Sequence, residues 1–314
     1  MMLDQAIASA PASIGNVAVG FDIMGQAFNA AHDTVVATRE SEPGVRLGKV
    51  TGLVTSLPGE VHRNTALAAA GALLDAAGNP FGVRLDIDKG VPMSAGMGGS
   101  AASAVAAAAA VNALLPNPFE TEELLPFTLE GERVASDPPH WDNVMASLMG
   151  GLVLAARESP PRLHKLPVPD GIVTIILHPS VETETKAARA LLTKDVPLKT
   201  LIENSRRLAT FVAGCASGDL DLIRVGFEDV LIEPQRAHLL EPFYAVKQAA
   251  LDAGALGCTF SGSGPSMFAW AETHRAEAVE LAMAAAFAAA GLEARAYRAA
   301  STEGVRVQPA KEAA

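Results

Sequence analysis

The stretch Val91-Pro92-Met93-Ser94-Ala95-Gly96-Met97-Gly98-Gly99-Ser100-Ala101-Ala102-Ser103 decides how the rest of the chain is read. Gly96, Gly98 and Gly99 carry no Cβ, so the backbone N–H groups around them can converge on an anion. The alanine-dominated run that follows predicts a helix from about Ser100 to Leu115, ended by Pro116. Its unpaired N-terminal N–H groups point at the same spot with about half a positive charge. The Ser100 hydroxyl stands where it could cap that helix or bind a phosphate-bound metal. The pattern reads as a phosphate cradle, but it lacks the Gly-Lys-Ser/Thr ending of a Walker A loop. The same residues also allow a plain Gly-rich turn before a buried helix.

Outward from this loop, the first half reads as short strands and helices. Ile7–Ser9, Thr34–Thr38, Val45–Val54 and Val83–Ile87 are β-branched-rich or alternating, with Gly and Pro around them. Asn64–Ala77 predicts a helix stopped by Gly78-Asn79-Pro80, and Glu120–Val134 another. Gly150-Gly151 precedes a strand at Leu152–Ala155. The Pro-rich stretch 158–169 is the expected boundary, giving domains 1–160 and 161–314. Beyond it come a strand at Val173–His178 and helices at Lys186–Leu192, Leu198–Ala213, Leu220–Phe227 and His238–Ala253. Strands at Cys258–Phe260 and Ser266–Trp270, a helix at Arg275–Ala290 and a strand at Glu293–Arg298 follow. That order predicts a ferredoxin-like split β-α-β plan with extra helices, and an overall α+β class. The tail after Val307 is expected to fray.

Composition narrows the function. The 314 residues carry 24 Lys and Arg against 35 Asp and Glu, a net charge of −11, which argues against a nucleic-acid surface. Small anionic ligands need only a few local donors and stay open. Apolar residues make up 49% and charged residues 19%, so the chain has the composition of a packed protein. Ala101–Leu115 is shorter than the ~20 residues a bilayer span requires, so no membrane association is expected. Met1-Met2-Leu3-Asp4 has no basic or apolar leader, which predicts a cytoplasmic location. Cys215 and Cys258 stand far apart and read as buried thiols, and no His-Glu-x-x-His pattern supports zinc chemistry.

Two further segments change the weight given to the central loop. Near the start stands Pro11-Ala12-Ser13-Ile14-Gly15-Asn16-Val17-Ala18-Val19-Gly20-Phe21-Asp22, and near the end Phe260-Ser261-Gly262-Ser263-Gly264-Pro265-Ser266. As structure alone the second is a hairpin turn, and its spacing fails the Gly-x-Ser-x-Gly nucleophile pattern. The three motifs in this order resemble the GHMP kinase superfamily. His140-Trp141-Asp142-Asn143-Val144, Gly150-Gly151-Leu152, Thr185-x-x-x-Arg189 and Glu233-Pro234-x-Arg236 make the chain most similar to its homoserine kinase family. The likeness runs from about Ala8 to Ala271.

The resemblance implies an N-terminal S5-like α/β domain, a C-terminal ferredoxin-like domain and an active site in the cleft between them. It implies ATP and Mg²⁺ as cofactors, L-homoserine as the small-molecule substrate and a homodimer as an assembly to test. Pro92 through Ser103 would wrap the ATP phosphates, and Ser100 with Glu132 would hold Mg²⁺. The stretch Glu130-Gly131-Glu132-Arg133 offers two carboxylates, and register on His140 favours Glu132. Asn64 would lie near the adenine, while Gly262 and Ser263 would approach the phosphates or the site floor. Asn16, Asp22, His140, Asn143 and Thr185 would surround the substrate. Arg189 and Arg236 would grip its carboxylate, and Asp22 its ammonium. Asn143 would orient the reacting hydroxyl, with Asp22 as the competing catalytic base. As structure alone, Asn16 and Asp22 could cap turns, Arg189 could be a surface ion-pair partner, and His140 a hydrogen-bonder beneath Trp141. Other readings are a kinase of a mevalonate- or shikimate-like alcohol, or an inactive amino-acid-sensing protein. Gly99 where a first Ser is common, Met97 for Leu, Arg63 for Glu, and Ala146 and Ser147 where Pro is common depart from the family pattern.

Overall fold

The computed structural model describes residues 3–181, 185–300 and 302–309. Its first half runs Gln5–Gly15 (β1), Met24–Glu40 (β2), Val45–Gly52 (β3), Thr65–Ala76 (α1), Gly82–Lys89 (β4), Gly99–Asn112 (α2), Leu125–Arg133 (α3), Trp141–Met149 (α4), Leu152–Arg157 (β5) and Arg162–Leu166 (β6). The central strands pair in the order β1-β2-β4-β3, and β5 joins β2 on one side and β6 on the other. β3 runs parallel to β4 because α1 crosses over between them, while the other neighbours are antiparallel.

α2 is buried continuously from Ala101 to Val111, its small, mostly apolar side chains covered all round and Ser103 the one polar group among them. Its small side chains let neighbours approach closely. A Cβ on Gly131 of α3 would lie 2.6 Å from Thr65 O and 2.9 Å from the Ala104 Cβ. Small residues therefore set the distance between α1, α2 and α3, and with it the place of Glu132 beside the start of α2.

The second half runs Ile172–Pro179 (β7), Thr185–Ala190 (α5), Leu198–Ser217 (α6), Leu220–Gly226 (α7), Glu233–Arg236 (α8), Phe243–Asp252 (α9), Gly257–Phe260 (β8), Met267–Glu272 (β9), Ala276–Ala289 (α10) and Ala294–Ala299 (β10). The antiparallel order β10-β7-β9-β8 is that of a ferredoxin-like sheet, as the sequence predicts. The two halves share one buried seam. Trp270 Nε1 donates to Gln26 Oε1 at 2.9 Å and Gln26 Nε2 donates to Thr174 Oγ1 at 3.3 Å, amid Phe28, Met24, Ile176, Phe211 and Phe227.

Several boundaries differ from the sequence reading. The break expected between 160 and 161 falls in the turn of the β5–β6 hairpin, so the Pro-rich stretch bends the chain without ending the first sheet. Arg306–Pro309 (β11) pairs with β1, so the tail expected to fray is a strand through Pro309. Thr121–Leu124 is a 3-10 turn ahead of α3, and Ala237–Leu239 another ahead of α9. No helix among the described residues is long and apolar enough to cross a membrane.

Candidate active site

The three glycine-bearing motifs meet at the mouth of α2. Ser261 Oγ donates to Gly96 O at 2.7 Å, and Gly262 N–H to Gly15 O at 3.0 Å. Asn16 Nδ2 donates to Gly262 O at 3.0 Å, and Ser13 N–H to Met97 O at 3.0 Å. Gly96 has φ +71°, and a Cβ there would lie 2.3 Å from Ser261 O, so only glycine allows the loop and the Ser261–Gly264 turn to touch. Gly98 precedes α2 with φ +67°. The first helical bond at this end runs from Ala102 N–H to Gly98 O, leaving the N–H groups of Gly99, Ser100 and Ala101 without intrahelical partners. Asn16, Ala18, Asp22 and Ser94 also hold positive φ, a concentration of strained backbone around one cleft.

That cleft has a volume of about 600 Å³. Met93 through Ser100 and Ser103 line it, with Asn64, Glu132, His140, Asn143, Asn16, Asp22, Arg189, Arg236, Gly262 and Ser263. Pro92, Ala101 and Ala102 do not face it; the two alanines are fully buried under the loop and serve packing. Asn64 caps α1, accepting from Ala66 and Leu67 N–H and donating to Pro58 O at 2.8 Å. Thr185 begins α5, and its side chain lies outside the described residues.

The cation-binding expectation rests on Ser100 and Glu132. Ser100 Oγ donates to Glu132 Oε1 at 3.1 Å, while Oε2 is buried with no hydrogen-bond partner. An orphaned carboxylate oxygen beside a hydroxyl, at a mouth of free N–H groups, fits a hard divalent cation. Among the described residues no cluster of three His, Cys, Asp or Glu could hold a metal, so such an ion would take its other ligands from phosphate and water. Glu130, the other carboxylate, is exposed and pairs with Arg133. His140 Nδ1 lies 3.7 Å from Glu132 Oε1. Burial works against charging this imidazole, but Glu132 and Asp142 outweigh it and hold its pKa above the ordinary value.

Across the cleft the two arginines behave differently. Arg189 Nη2 donates to both oxygens of Asp22, at 2.6 and 2.7 Å. The expected division, Asp22 for an ammonium and Arg189 for a carboxylate, is thus met by the two residues pairing with each other. Arg236 is 4% exposed, and its Nε is buried with no hydrogen-bond partner. Burial, and then the like charge of Arg189, lower its pKa. The Phe21 ring lies under both guanidinium groups, 4.9 Å from Arg236 and 5.4 Å from Arg189. Behind Arg236, Asp229 accepts the N–H groups of Leu231, Ile232 and Glu233, and Glu233 accepts from Lys247 and Thr259.

Sequence reasoning missed three groups. Lys89 Nζ donates to Asp33, to Gly99 O and to Ser103 Oγ, while Asp33 Oδ1 accepts the Gly90 and Val91 N–H groups. This buried pair ties both ends of the glycine-rich loop to β2 and β4. No local pattern could reveal it, because Asp33 and Lys89 meet only across the β2–β4 register. Phe21 was visible inside the first motif without a role. Asp142, buried on the cleft wall, was visible between His140 and Asn143. Burial pushes its pKa up to about 6, with Asp22 adding to the rise and His140 opposing it.

Comparison with known proteins agrees with this architecture. Residues 64–151 match the GHMP kinases N terminal domain and residues 211–289 the GHMP kinases C terminal domain. A homoserine kinase from Xanthomonas campestris pv. campestris (strain B100) is 47% identical over 94% of this chain and 91% of its own. One from Chlorobium phaeobacteroides (strain DSM 266) is 39% identical, over 88% and 90%. The crystal structure of homoserine kinase from Cytophaga hutchinsonii superposes with a TM-score of 0.93 at 37% identity, covering 98% of both chains. An L. major mevalonate kinase, at 16% identity and a TM-score of 0.69, over 98% of this chain and 96% of its own, shares the fold alone. The chain belongs to the GHMP kinase superfamily and, within it, to the homoserine kinase family.

Proposed function

We propose that the protein transfers the γ-phosphoryl group of ATP to the side-chain hydroxyl of L-homoserine, giving O-phospho-L-homoserine and ADP, a step in threonine biosynthesis. One observation carries the reading. The donor-rich mouth of α2, the Asn143 carboxamide and the buried Arg236 guanidinium share a single cleft in a chain 47% identical to a homoserine kinase.

The substrate is a zwitterion with a primary alcohol, so its site needs a cation, an anion and a clear line to the γ-phosphate. Arg236 supplies a preorganised fork for the carboxylate. Arg189 and Asp22 exchange partners with the zwitterion, Arg189 taking the carboxylate and Asp22 the ammonium. Both Asp22 oxygens already accept from Arg189, which suits an ammonium partner better than a catalytic base. Asn143 orients the hydroxyl. Its oxygen forms the new bond to phosphorus as the bond to the β-phosphate bridging oxygen breaks, and its proton leaves to a phosphate oxygen or water. The transition state is loose, so alignment and charge neutralisation matter more than a strong base. Mg²⁺ held by Ser100 and Glu132 would neutralise charge on the β- and γ-phosphates. The free N–H groups of Gly99 and Ser100 and the Lys89-braced loop position those phosphates, with Asn64 toward the adenine and Gly262 and Ser263 on the floor. The working domains are the two sheets, and a homodimer and a cytoplasmic location complete the reading.

Incubation of the protein with ATP, Mg²⁺ and a panel of L-homoserine, mevalonate and shikimate tests the assignment. Homoserine is expected to turn over far faster than the others. A mevalonate or shikimate rate well above the homoserine rate would overturn the substrate, and no Mg²⁺-dependent ATP turnover with any alcohol would overturn the enzyme.

A further inference from the structure

Asp142 is the second residue of α4 and is 2% exposed, yet it lines the cleft. Its two oxygens serve two segments, the turn at Asn16 and the start of α4 at Asn143. Oδ2 accepts the Asn16 N–H at 2.9 Å. Oδ1 accepts the Asn143 N–H at 2.8 Å and the Asn143 carboxamide N–H at 3.3 Å. The other end of that carboxamide, Oδ1, accepts from Ser13 Oγ at 3.0 Å. A carboxylate on one end and a hydroxyl donor on the other leave the amide one orientation.

The strands opposite make room for this group. A Cβ on Gly15 would lie 2.5 Å from Asp142 Oδ2, and one on Gly25 would lie 1.9 Å from the Asp142 carbonyl oxygen. The same contact reaches the substrate side. Asn16, with φ +60°, accepts the Asp22 N–H at Oδ1 at 2.8 Å, so Asp142 steadies a left-handed residue that in turn holds Asp22.

We infer that Asp142 is a positioning residue, whose carboxylate fixes the orientation of Asn143 and the strained turn at Asn16 so that the acceptor hydroxyl and the amino-acid end of the substrate are held in one register. The inference rests on the proposed role of Asn143 as the group that orients the hydroxyl. A carboxylic acid would keep only part of the arrangement, because a protonated oxygen becomes a donor facing N–H donors. The groups facing Asp142 are His140 on its own helix, Asp22 from the turn after β1, and Arg236 from α8. The shifted pKa of about 6 puts this change within reach of ordinary assay conditions.

The test measures kcat and both KM values against pH, from 8 to 5, for the wild-type chain, Asp142→Asn and Asn143→Ala. Asp142→Asn is expected to lose at least ~10-fold in kcat at pH 8 while its KM for ATP moves less than twofold. The wild-type kcat is expected to fall below about pH 6, and that limb is expected to be missing from Asp142→Asn. A limb of His140 would persist in both. An undiminished kcat in Asp142→Asn, or the same limb in both proteins, overturns the inference. Asn143→Ala with full turnover would remove the reading of Asn143 itself, whereas a slowed Asn143→Ala beside an unslowed Asp142→Asn would overturn the role of Asp142 alone.

Discussion

The two walls of the cleft are made of different materials. The wall proposed for the nucleotide is almost all backbone: a glycine loop with positive φ, free N–H groups at the start of α2, and one carboxylate brought near by the Gly131 contact. The wall proposed for the amino acid is made of side chains from separate elements, with Asp22 after β1, Asn143 on α4, Arg189 on α5 and Arg236 on α8. A backbone wall depends on local geometry and tolerates no added atoms. A side-chain wall depends on long-range packing, and each member can be removed with a graded and separable cost.

That difference orders the expected effects of mutation. Glu132→Gln should be the most damaging, lowering kcat by about 10³-fold through loss of charge at the developing phosphoryl centre. It should also flatten the dependence of rate on Mg²⁺ concentration. Glu130→Gln, two residues away but exposed, should stay within twofold of wild type in the same assay. Equal losses would erase the distinction between the two carboxylates. Gly96→Ala should cost about 10²-fold in kcat/KM, because its Cβ would push the phosphate loop off Ser261. The backbone wall predicts that homoserine binding, read by calorimetry, survives this change.

Arg236→Ala should raise the homoserine KM by ~30-fold, the worth of charge-assisted hydrogen bonds, with nucleotide affinity unchanged. Equal loss of both ligands would mean that the arginine props up the fold. Arg236→Lys should recover little, since a point charge cannot reproduce the fork.

The smallest effect is thermodynamic, and its sign runs against activity. The folded pKa of Asp142, about 6, lies above the ordinary 3.8, so the folded chain holds this proton more tightly than the unfolded one. Its stabilising contribution is complete below pH 3.8 and is lost as pH rises through 6. The ionised carboxylate therefore costs up to about 3 kcal/mol at pH 8. Asp142→Asn should show a flatter pH dependence of thermal stability between pH 5 and 7 than wild type. Identical slopes in calorimetry would show that Asp142 is not the group concerned.

Legibility in the sequence follows the same division. The phosphate loop, the buried alanine helix and the ferredoxin-like strand order are written locally, in glycine spacing, small residues and alternation, and they read directly. Arg189, Arg236 and Asn143 carry no local signature of a shared site; only the family likeness assembled them into one set. Lys89 and Asp33 escaped even that, because their meeting depends on strand register. Asp142 escaped because an acidic residue in the first turn of a helix has an ordinary explanation in the helix dipole. β11 was missed because four residues after a turn carry too little alternation to announce a strand.

The proposed reading has the mouth of α2 hold the triphosphate while Arg236 faces it with the amino acid. A crystal structure with a non-hydrolysable ATP analogue, Mg²⁺ and L-homoserine tests it most directly. Phosphate oxygens are expected on the Gly99 and Ser100 N–H groups, the substrate carboxylate on Arg236, and its hydroxyl between Asn143 and the γ-phosphate. A triphosphate bound elsewhere, with that mouth left to solvent, would contradict it.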